Sequence, residues 1–364
     1  MTMKIYKFYV WIVILSISSV MNSAFTQVLD HSWRRVVANN DDEWWKSKEV
    51  ADVADNVLLY QRDIGGWPKN TQMQKPLSEK EKKALIKLKS KPDGCTTDNG
   101  ATFLEMTFLS KIYRFQPDDR YKQAFLNALN YLLEAQYDNG GWPQFYPLKK
   151  GYYTHITYND GSMVNIMKML ENLYMKTGAI SIDPDEATLE KAKIAFEKGI
   201  DCILKTQYKQ NGVLTSWCAQ HDEVTLQPAK ARAYELPSLS GQESADIVLL
   251  LMSIENPSDE IKASIESAVK WFEKTKITGI RIERYKDEEG NGEKRIIHDP
   301  SAPPVWARFM NLEDNTPFFC DRDGIKKSSL MDIGRERRNG YRWYSYEPQL
   351  VLDQYPKWKS KWDQ

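Results

Sequence analysis

A helix end that carries glutamine runs into a glycine turn three times along this 364-residue chain, and this repeat constrains the fold more than any other feature. The glutamines are Gln61, Gln136 and Gln207, and a fourth copy lacks the glutamine. The turn glycines, which lie 75, 71 and 67 positions apart, are Gly66, Gly141, Gly212 and Gly279. A period this long leaves room for a pair of helices between successive turns. The repeat therefore predicts stacked helical hairpins.

The segments between the turns have the apolar spacing of amphipathic helices. Over residues 161–177, Met163, Ile166, Met167 and Leu170 fall on one stripe. The other predicted helices cover residues 78–90, 119–137, 185–205, 243–255 and 258–275. Beyond about residue 276 the pattern becomes β-like and irregular. We therefore predict one mainly α domain over residues 27–364, a partial (α/α) toroid with short β-hairpins and irregular loops at one rim.

The first 26 residues have the order of a secretory signal. Lys4 and Lys7 precede the apolar run of residues 8–15, and mostly small residues follow. This order predicts a cleaved signal peptide over residues 1–26 and an exported protein, either extracellular or periplasmic, with no other membrane segment. The formal net charge of +0 argues against a nucleic-acid partner held by broad positive charge.

Four cysteines follow the predicted signal, at Cys95, Cys202, Cys218 and Cys320. An exported chain can form disulfides, and four cysteines allow three pairings. Their spacing does not choose between buried thiols and a bridge. The absence of a CxxC motif argues against a zinc site.

Two predicted helix openings carry an adjacent Asp and Asn beside glycine. The first contains Asp98 and Asn99, and the second contains Asn159 and Asp160. An Asp or Asn before a helix is commonly its N-cap, so each opening alone has a structural explanation. Because the openings belong to successive repeats, we expect their carboxylates to converge at one end of the hairpins. Converging carboxylates either bind a hard cation such as calcium or serve as the acid and base of a glycosidase.

A later segment combines cations with aromatic neighbours. Lys230 and Arg232 alternate, so an extended strand would point both side chains the same way, and Trp217 and Tyr234 frame them. Guanidinium groups bind carboxylates and rings cover sugar faces, so the segment suits an anionic sugar, although exposed surface charge is the alternative. Arg322 lies between two acids and is either a guanidinium held for the site or a structural ion pair.

Taken together, these segments resemble the pectate lyases of polysaccharide lyase family 10. The matching motifs, spread over roughly residues 45–350, are GGWPKN at 65–70, TTDNGAT at 96–102, NGGWPQFYP at 139–147, HITYNDGSM at 155–163, WCAQHD at 217–222, PAKARAYELPSLSG at 228–241 and FFCDRDG at 318–324. The family has an (α/α)-type toroid and cleaves polygalacturonate by calcium-dependent β-elimination. The resemblance implies the same fold, the same unsaturated oligogalacturonide products and Ca²⁺ as the cofactor here.

The resemblance also implies roles for individual residues. Arg232 matches the catalytic base, and Asp98, Asn159 and Asp160 match residues at the calcium site. The expected substrate-binding residues are Asp98, Asn99, Trp217, Lys230, Tyr234 and Arg322. Arginine is normally protonated, so Arg232 can serve as a base only where nearby cations disfavour its charged form. The expected partner is pectin, bound by a monomer.

Three other functions fit part of the pattern. A glycoside hydrolase would use Asp98 and Asp160 as acid and base, but a neutral glucan needs no cations such as Lys230 and Arg232. A non-catalytic pectin-binding protein would use the same rings and cations. A protein-binding repeat scaffold would leave the acidic openings unexplained.

Overall fold

The computed structural model describes residues 28–362, so the predicted signal peptide lies outside the described residues. The helices are α1 (Trp33–Val37), α2 (Asp42–Trp45), α3 (Lys48–Tyr60), α4 (Glu79–Leu88), α5 (Phe103–Phe115), α6 (Asp119–Glu134), α7 (Ser162–Tyr174), α8 (Glu186–Thr206), α9 (Gly241–Ser253), α10 (Asp259–Thr275), α11 (Arg335–Gly340) and α12 (Glu347–Trp362). The strands are β1 (Ile156–Thr157), β2 (Lys209–Gln210), β3 (Val213–Leu214), β4 (Gln220–His221), β5 (Ile280–Lys286), β6 (Gly292–His298), β7 (Trp306–Ala307), β8 (Phe319–Cys320), β9 (Lys326–Lys327) and β10 (Tyr344–Ser345). The predicted mainly α class is confirmed. Across residues 28–362, every helix is too short or too polar to span a bilayer.

The chain divides into two compact units that interleave along the sequence. The first unit contains residues 28–96, Ala101–Glu134 and Lys176–Asp185. The second unit contains Thr97–Gly100, Ala135–Met175 and residues 186–362. The single catalytic domain over residues 27–364 stays a prediction.

The first unit is built on helices α3, α5 and α6. Helices α5 and α6 form a hairpin, and α3 packs against both. Two tryptophans near the start of the unit close its core, because the rings of Trp33 and Trp45 lie with their centroids 5.0 and 5.3 Å from that of Phe108. The outer helix α4 begins with the capping box that Ser78 and Glu81 predict.

The second unit contains two helical hairpins, α7–α8 and α9–α10, and α12 packs on the second of them. Helix α10 begins after Pro257, where the Ser258 side chain accepts a hydrogen bond from the backbone of Ile261. Within residues 28–362, the strands form five two-stranded antiparallel ribbons, of which β5–β6 is the longest. In ribbon β1–β4, Ile156 pairs with His221. Helix α12 was not predicted from the sequence.

The repeated glutamines have one structural role. Gln136 shows it clearly, because its Nε2 donates to the carbonyl oxygens of Gly140 at 3.0 Å and Ala195 at 2.8 Å. Gln61 bridges two carbonyls at 2.8 Å each, and Gln207 bridges two at 2.9 and 3.0 Å. Each glutamine thereby ties its own turn to the second helix of the following hairpin, which is α6 for Gln61, α8 for Gln136 and α10 for Gln207. We call the segments 61–67, 136–142 and 207–217 the glutamine turns.

A tryptophan marks the end of each turn. Trp67, Trp142 and Trp217 are each 75 positions apart, and Trp306 follows as a fourth copy. All four are buried. The indole N–H of Trp67, Trp217 and Trp306 donates to a carbonyl oxygen of the preceding helix at 2.8, 2.8 and 2.9 Å. The tryptophans therefore give the repeat its true register.

This register corrects the third and fourth copies of the predicted repeat. Gly212 lies at the tip of ribbon β2–β3, which is inserted between Gln207 and Trp217. Gly279 immediately precedes the longer ribbon β5–β6, which is inserted before Trp306. Inserted residues, rather than the repeat itself, produced the uneven glycine spacing.

Candidate functional site

The two predicted acidic openings have the same backbone. Asp98–Gly100 and Asn159–Gly161 each form one turn of 3-10 helix, and we call them the acidic turns. Their second residues are left-handed, with φ 56° and ψ 21° at Asn99 and φ 54° and ψ 27° at Asp160. Asn, Asp and Gly tolerate this region best, so the doubled Asx-Asx-Gly sequence is what the turn requires. Asp98 thus occupies the same position as Asn159, and Asn99 the same position as Asp160.

The first position of each acidic turn is buried and the second is exposed. Asp98 is 3% exposed, and its Oδ2 accepts a hydrogen bond from Gln144 Nε2 at 2.7 Å. Asn159 donates from Nδ2 to Asp160 Oδ2 at 2.7 Å. The hydroxyls of Thr97 and Ser162, which flank the two turns, are 2.5 Å apart. The structure therefore brings the two openings together, as the repeat predicts.

Negative charge accumulates at the acidic turns. Desolvation by the surrounding protein raises the pKa of Asp160, Arg308 opposes this shift, and the charges of Glu243 and Asp98 add to it. A bound cation would relieve this repulsion. The carboxylate oxygens of Asp98 and Asp160 are donors of the type that calcium prefers.

A buried Arg–Glu pair supports these turns and was missed from the sequence. Glu243, which is 1% exposed, lies with its Oε1 3.7 Å from Arg308 NH2 and accepts a hydrogen bond from Ser240. Arg308 NH2 also donates to Asn159 Oδ1 at 2.8 Å. Desolvation favours the neutral form of Arg308, but nearby negative charge, mainly that of Glu243, outweighs it and raises the pKa. Asn159 therefore links Arg308 to Asp160, and its predicted role as a metal ligand stays a prediction.

Three guanidinium groups surround the ring of Tyr234. The carbon at the centre of each guanidinium lies 5.1 Å from the ring centroid for Arg232, 5.6 Å for Arg322 and 3.9 Å for Arg337. Arg337 is only 5% exposed, and its buried Nε and NH2 have no hydrogen-bond partner within residues 28–362. A buried guanidinium with unused donors favours an anionic ligand. Sequence reasoning placed Arg232, Arg322 and Tyr234 here but missed Arg337, which sits in the stretch 335–364 where no motif was found.

Arg232 is held by an acid rather than surrounded only by cations. Its Nε donates to Glu235 Oε2 at 2.6 Å and its NH2 to Glu235 Oε1 at 2.5 Å. The hydroxyl of Tyr341 also donates to Glu235. The hydrogen bonds that the Arg232 side chain donates to Glu235 are the main reason that the pKa of Arg232 is raised above its ordinary value. The expected lowering by neighbouring cations is therefore not what this arrangement produces.

The remaining predicted cations lie on the surface. Residues 230–231 are irregular and 232–234 form a turn, so Lys230 and Arg232 do not share a strand as predicted. Lys230 is exposed. Arg322 pairs with Glu336, whose oxygens lie 2.9 and 3.0 Å from NH2 and Nε, and not with the acids that flank it in the sequence. An ion pair with Glu336 fits both interpretations of Arg322, so its substrate-binding role stays a prediction.

Trp217 does not frame the cations. Its ring is fully buried, and its indole N–H donates a hydrogen bond to the carbonyl oxygen of Ile203 in helix α8. A ring that stacks on sugar must be exposed, so the predicted substrate-binding role does not fit Trp217. The 75-residue spacing of the tryptophans is the signal that identifies it as part of the scaffold.

A second donor set lies at the end of ribbon β1–β4. Atoms of His155, Asp222 and Glu223 that could bind a metal lie within 4.8 Å of one another. His155 Nδ1 is 2.9 Å from Glu223 Oε2, and Asp222 Oδ1 accepts hydrogen bonds that close the turn at Thr225. The chain thus already uses atoms of all three residues. All four cysteines are buried free thiols.

The chain is similar to two solved structures of a polysaccharide lyase, and this is the class of enzyme to which the helical repeats and the cationic site belong. Both are the family 10 polysaccharide lyase from Cellvibrio cellulosa. One, a mutant in complex with trigalacturonic acid, is 35% identical with a TM-score of 0.72, over 88% of this chain and 98% of its own. The other is 36% identical with a TM-score of 0.71, over 87% and 96%. A search of curated proteins finds no match.

The family model for pectic acid lyase matches residues 61–352, and the chain belongs to this family. The predicted resemblance to family 10 is confirmed, as is an enzyme of the lyase class that acts on polysaccharides.

Proposed function

We propose that this protein cleaves polygalacturonate by calcium-dependent β-elimination, and that Arg232 is the base. The observation that carries the proposal is the cluster of Arg232, Arg322 and Arg337 around Tyr234, in the same unit as the acidic turns. Arg337 has buried guanidinium donors without a hydrogen-bond partner within residues 28–362. A neutral glucan offers no charge to match them, whereas a uronate offers a carboxylate. The trigalacturonic acid bound by the Cellvibrio mutant agrees with this substrate class.

The reaction needs one proton removed and one bond broken. The proton on C5 is weakly acidic because it lies next to the carboxylate carbon. As a base takes it, the electron pair of the C5–H bond forms the C4–C5 double bond, the C4–O4 bond breaks, and O4 takes up a proton from water as it leaves. Cationic groups near the carboxylate stabilise the charge that develops on it. In this proposal, Arg322 and Arg337 supply these cationic groups.

Arg232 must be neutral before it can accept the C5 proton. Glu235 opposes this, because its two hydrogen bonds favour the charged guanidinium. Release of Arg232 from Glu235, together with alkaline pH, would increase the fraction of neutral base. We therefore expect activity to rise with pH on the alkaline side of neutrality.

The acidic turns fit calcium. Asp98 and Asp160 would hold it, with Asn159 orienting Asp160 and Gln144 orienting Asp98. When bound, calcium neutralises substrate carboxylate charge and so makes the C5 proton easier to remove. We further propose that Lys230 and Asn99 contact the sugar chain at the exposed edge. The enzyme would be exported, with residues 1–26 as its signal, and would act as a monomer.

The test is the ultraviolet absorbance of the unsaturated product. The purified protein is mixed with polygalacturonate at alkaline pH, first with calcium and then with a chelator. We expect an absorbance rise that calcium supports and the chelator abolishes. New reducing ends without the absorbance would assign the carboxylates to a hydrolase, and a rise that the chelator leaves unchanged would remove calcium from the proposal.

A further inference from the structure

The longest ribbon, β5–β6, carries an unusual pair of charges. Arg284 and Lys294 lie directly opposite each other on adjacent strands. Like charges in this position repel and destabilise a ribbon. On the other face, opposite charges do pair, since Arg295 lies 2.6 Å from Glu283. On one face of the ribbon, opposite charges thus pair with each other, and on the other face two positive charges lie side by side.

Lys294 is buried without an acid to balance it. It is 8% exposed, and its Nζ donates to the carbonyl oxygens of Asn339 at 2.8 Å and Tyr341 at 3.0 Å. Within residues 28–362, neither Lys294 nor Arg284 forms a salt bridge. Burial, with a smaller contribution from Arg284, lowers the pKa of Lys294. Such an arrangement costs stability unless an anion joins it.

These cations line a pocket of about 430 Å³. Arg342 adds a third cation, although it also pairs with Glu347 at 2.7 Å, and Tyr346 adds an exposed ring. No Asp or Glu occurs among the described residues that line the pocket. Its size is in the range of pockets that hold small ligands.

The pocket adjoins the proposed site through Tyr341, which is also part of its wall. The hydroxyl of Tyr341 donates to Glu235, the partner of Arg232, and the Arg337 guanidinium lies 4.1 Å from the centre of its ring. A chain of uronates bound by the arginines around Tyr234 could therefore continue toward Arg284 and Lys294.

We propose that this pocket is a further subsite, which binds a carboxylate of a long polygalacturonate chain beyond the residues held at Tyr234. The inference rests on the proposed function, because it takes the same anionic polymer as the ligand. Arg284 is its outer contact and Lys294 its buried one, with Tyr346 covering a sugar face. The subsite adds binding for long chains and takes no part in proton removal.

The test compares a long and a short substrate. We expect Arg284→Gln to lower kcat/KM on polygalacturonate by about tenfold, the loss of one charge-assisted contact. The change should appear mainly in KM, and activity on trigalacturonate should stay within about twofold. The matched control is Arg281→Gln, because Arg281 lies on the other face of the same strand and pairs with Asp299 at 3.3 Å. An equal loss on both substrates, or no loss on the polymer, would overturn the subsite.

Thermal unfolding separates binding from folding. Because Arg284→Gln removes the repulsion with Lys294, we expect its Tm to rise or stay the same while activity on the polymer falls. A lower Tm with the same loss of activity would make Arg284 a structural residue and contradict the proposal. If the wild type forms no unsaturated product at all, the lyase proposal fails separately. Affinity electrophoresis in gels with and without polygalacturonate would then still test the subsite. The polymer should retard the wild type more than Arg284→Gln, and equal retardation of the two would overturn the subsite.

Discussion

The glutamine turns and the acidic turns recur in the same helical repeats, but they use polar side chains in opposite ways. In a glutamine turn, a neutral amide bridges two backbone carbonyls, as Gln136 does for Gly140 and Ala195. In an acidic turn, Asp160 is a charged group whose nearest charged neighbours include two further acids. The polar atoms of the glutamine turns stabilise the fold, whereas the acidic turns concentrate negative charge that we propose binds calcium.

The two kinds of turn also use unusual backbone conformations for different reasons. Gly140 has a φ of 90°, and a Cβ there would lie 1.9 Å from the carbonyl oxygen of Lys198. Close packing therefore demands glycine. In the acidic turns the left-handed residues are Asn99 and Asp160, and both are exposed. There the backbone conformation serves to present a polar group.

The largest expected effect is at Arg232. Replacing it by Gln should lower kcat on polygalacturonate by about a thousandfold, the contribution of a general base. Arg232→Lys, which keeps the charge but not the guanidinium, should also lose most activity at neutral pH. Initial rates of unsaturated product measure both. Near-full activity of the Lys variant at neutral pH would refute a specific guanidine role.

The next effect tests the charge of the acidic turns. Asp160→Asn should weaken calcium binding by roughly a hundredfold, because it removes a charged oxygen ligand. The matched control is Asp138→Asn, which removes an exposed acid from within a glutamine turn. Calorimetric titration of calcium gives both affinities. Equal calcium affinities for Asp160→Asn and Asp138→Asn would show that the acidic turn does not bind calcium better than the glutamine turn.

The glutamine turns should affect stability and not chemistry. Gln136→Ala leaves two carbonyls without their donor and should lower the free energy of unfolding by about 2 kcal/mol. Gln123→Ala, at an exposed helix position, should change it by less than about 0.5 kcal/mol. Denaturant titration measures the difference. At a temperature where both variants are folded, the kcat of each should match that of the wild type. A fall in kcat for Gln136→Ala alone would contradict a purely structural role for the glutamine turns.

The smallest effect concerns an acid buried in the first unit. Glu105 accepts a hydrogen bond from Trp33 Nε1 at 2.6 Å, and burial raises the pKa of Glu105 to about 7. The folded protein then holds a proton that the unfolded chain releases, so this contribution to stability is full at low pH and is lost as pH rises toward 7. Glu105→Gln should remove that loss and gain about 1 kcal/mol relative to the wild type between pH 5 and 6. Urea titrations at both pH values test it, and a constant difference would show that Glu105 does not titrate in this range.

The sequence predicted several of the helices and the two acidic turns, because both kinds of element depend on residues that are close together in the chain. Apolar spacing locates a helix such as α7, and an Asx-Asx-Gly sequence locates a left-handed turn such as Asp98–Gly100. Helix α12 was missed because Pro356 lies inside it, and proline normally argues against a helix interior.

Residues that depend on long-range packing were not predictable in the same way. Arg337 and Tyr234 are far apart in the chain, and only tertiary packing places one over the other. The same holds for Glu243 and Arg308. Trp217 was misassigned because a tryptophan beside cations fits a sugar site as well as it fits a scaffold, and only its burial decides.

The most direct test of the central claim is to run the reaction in water enriched in the heavy oxygen isotope. Elimination forms a double bond and takes no oxygen from water, whereas hydrolysis adds one water to each cleaved bond. Mass spectrometry of the products from polygalacturonate and calcium distinguishes them. Our account predicts unlabelled products that carry an unsaturated end. Saturated products that carry the heavy isotope would show that the protein is a hydrolase and contradict the account.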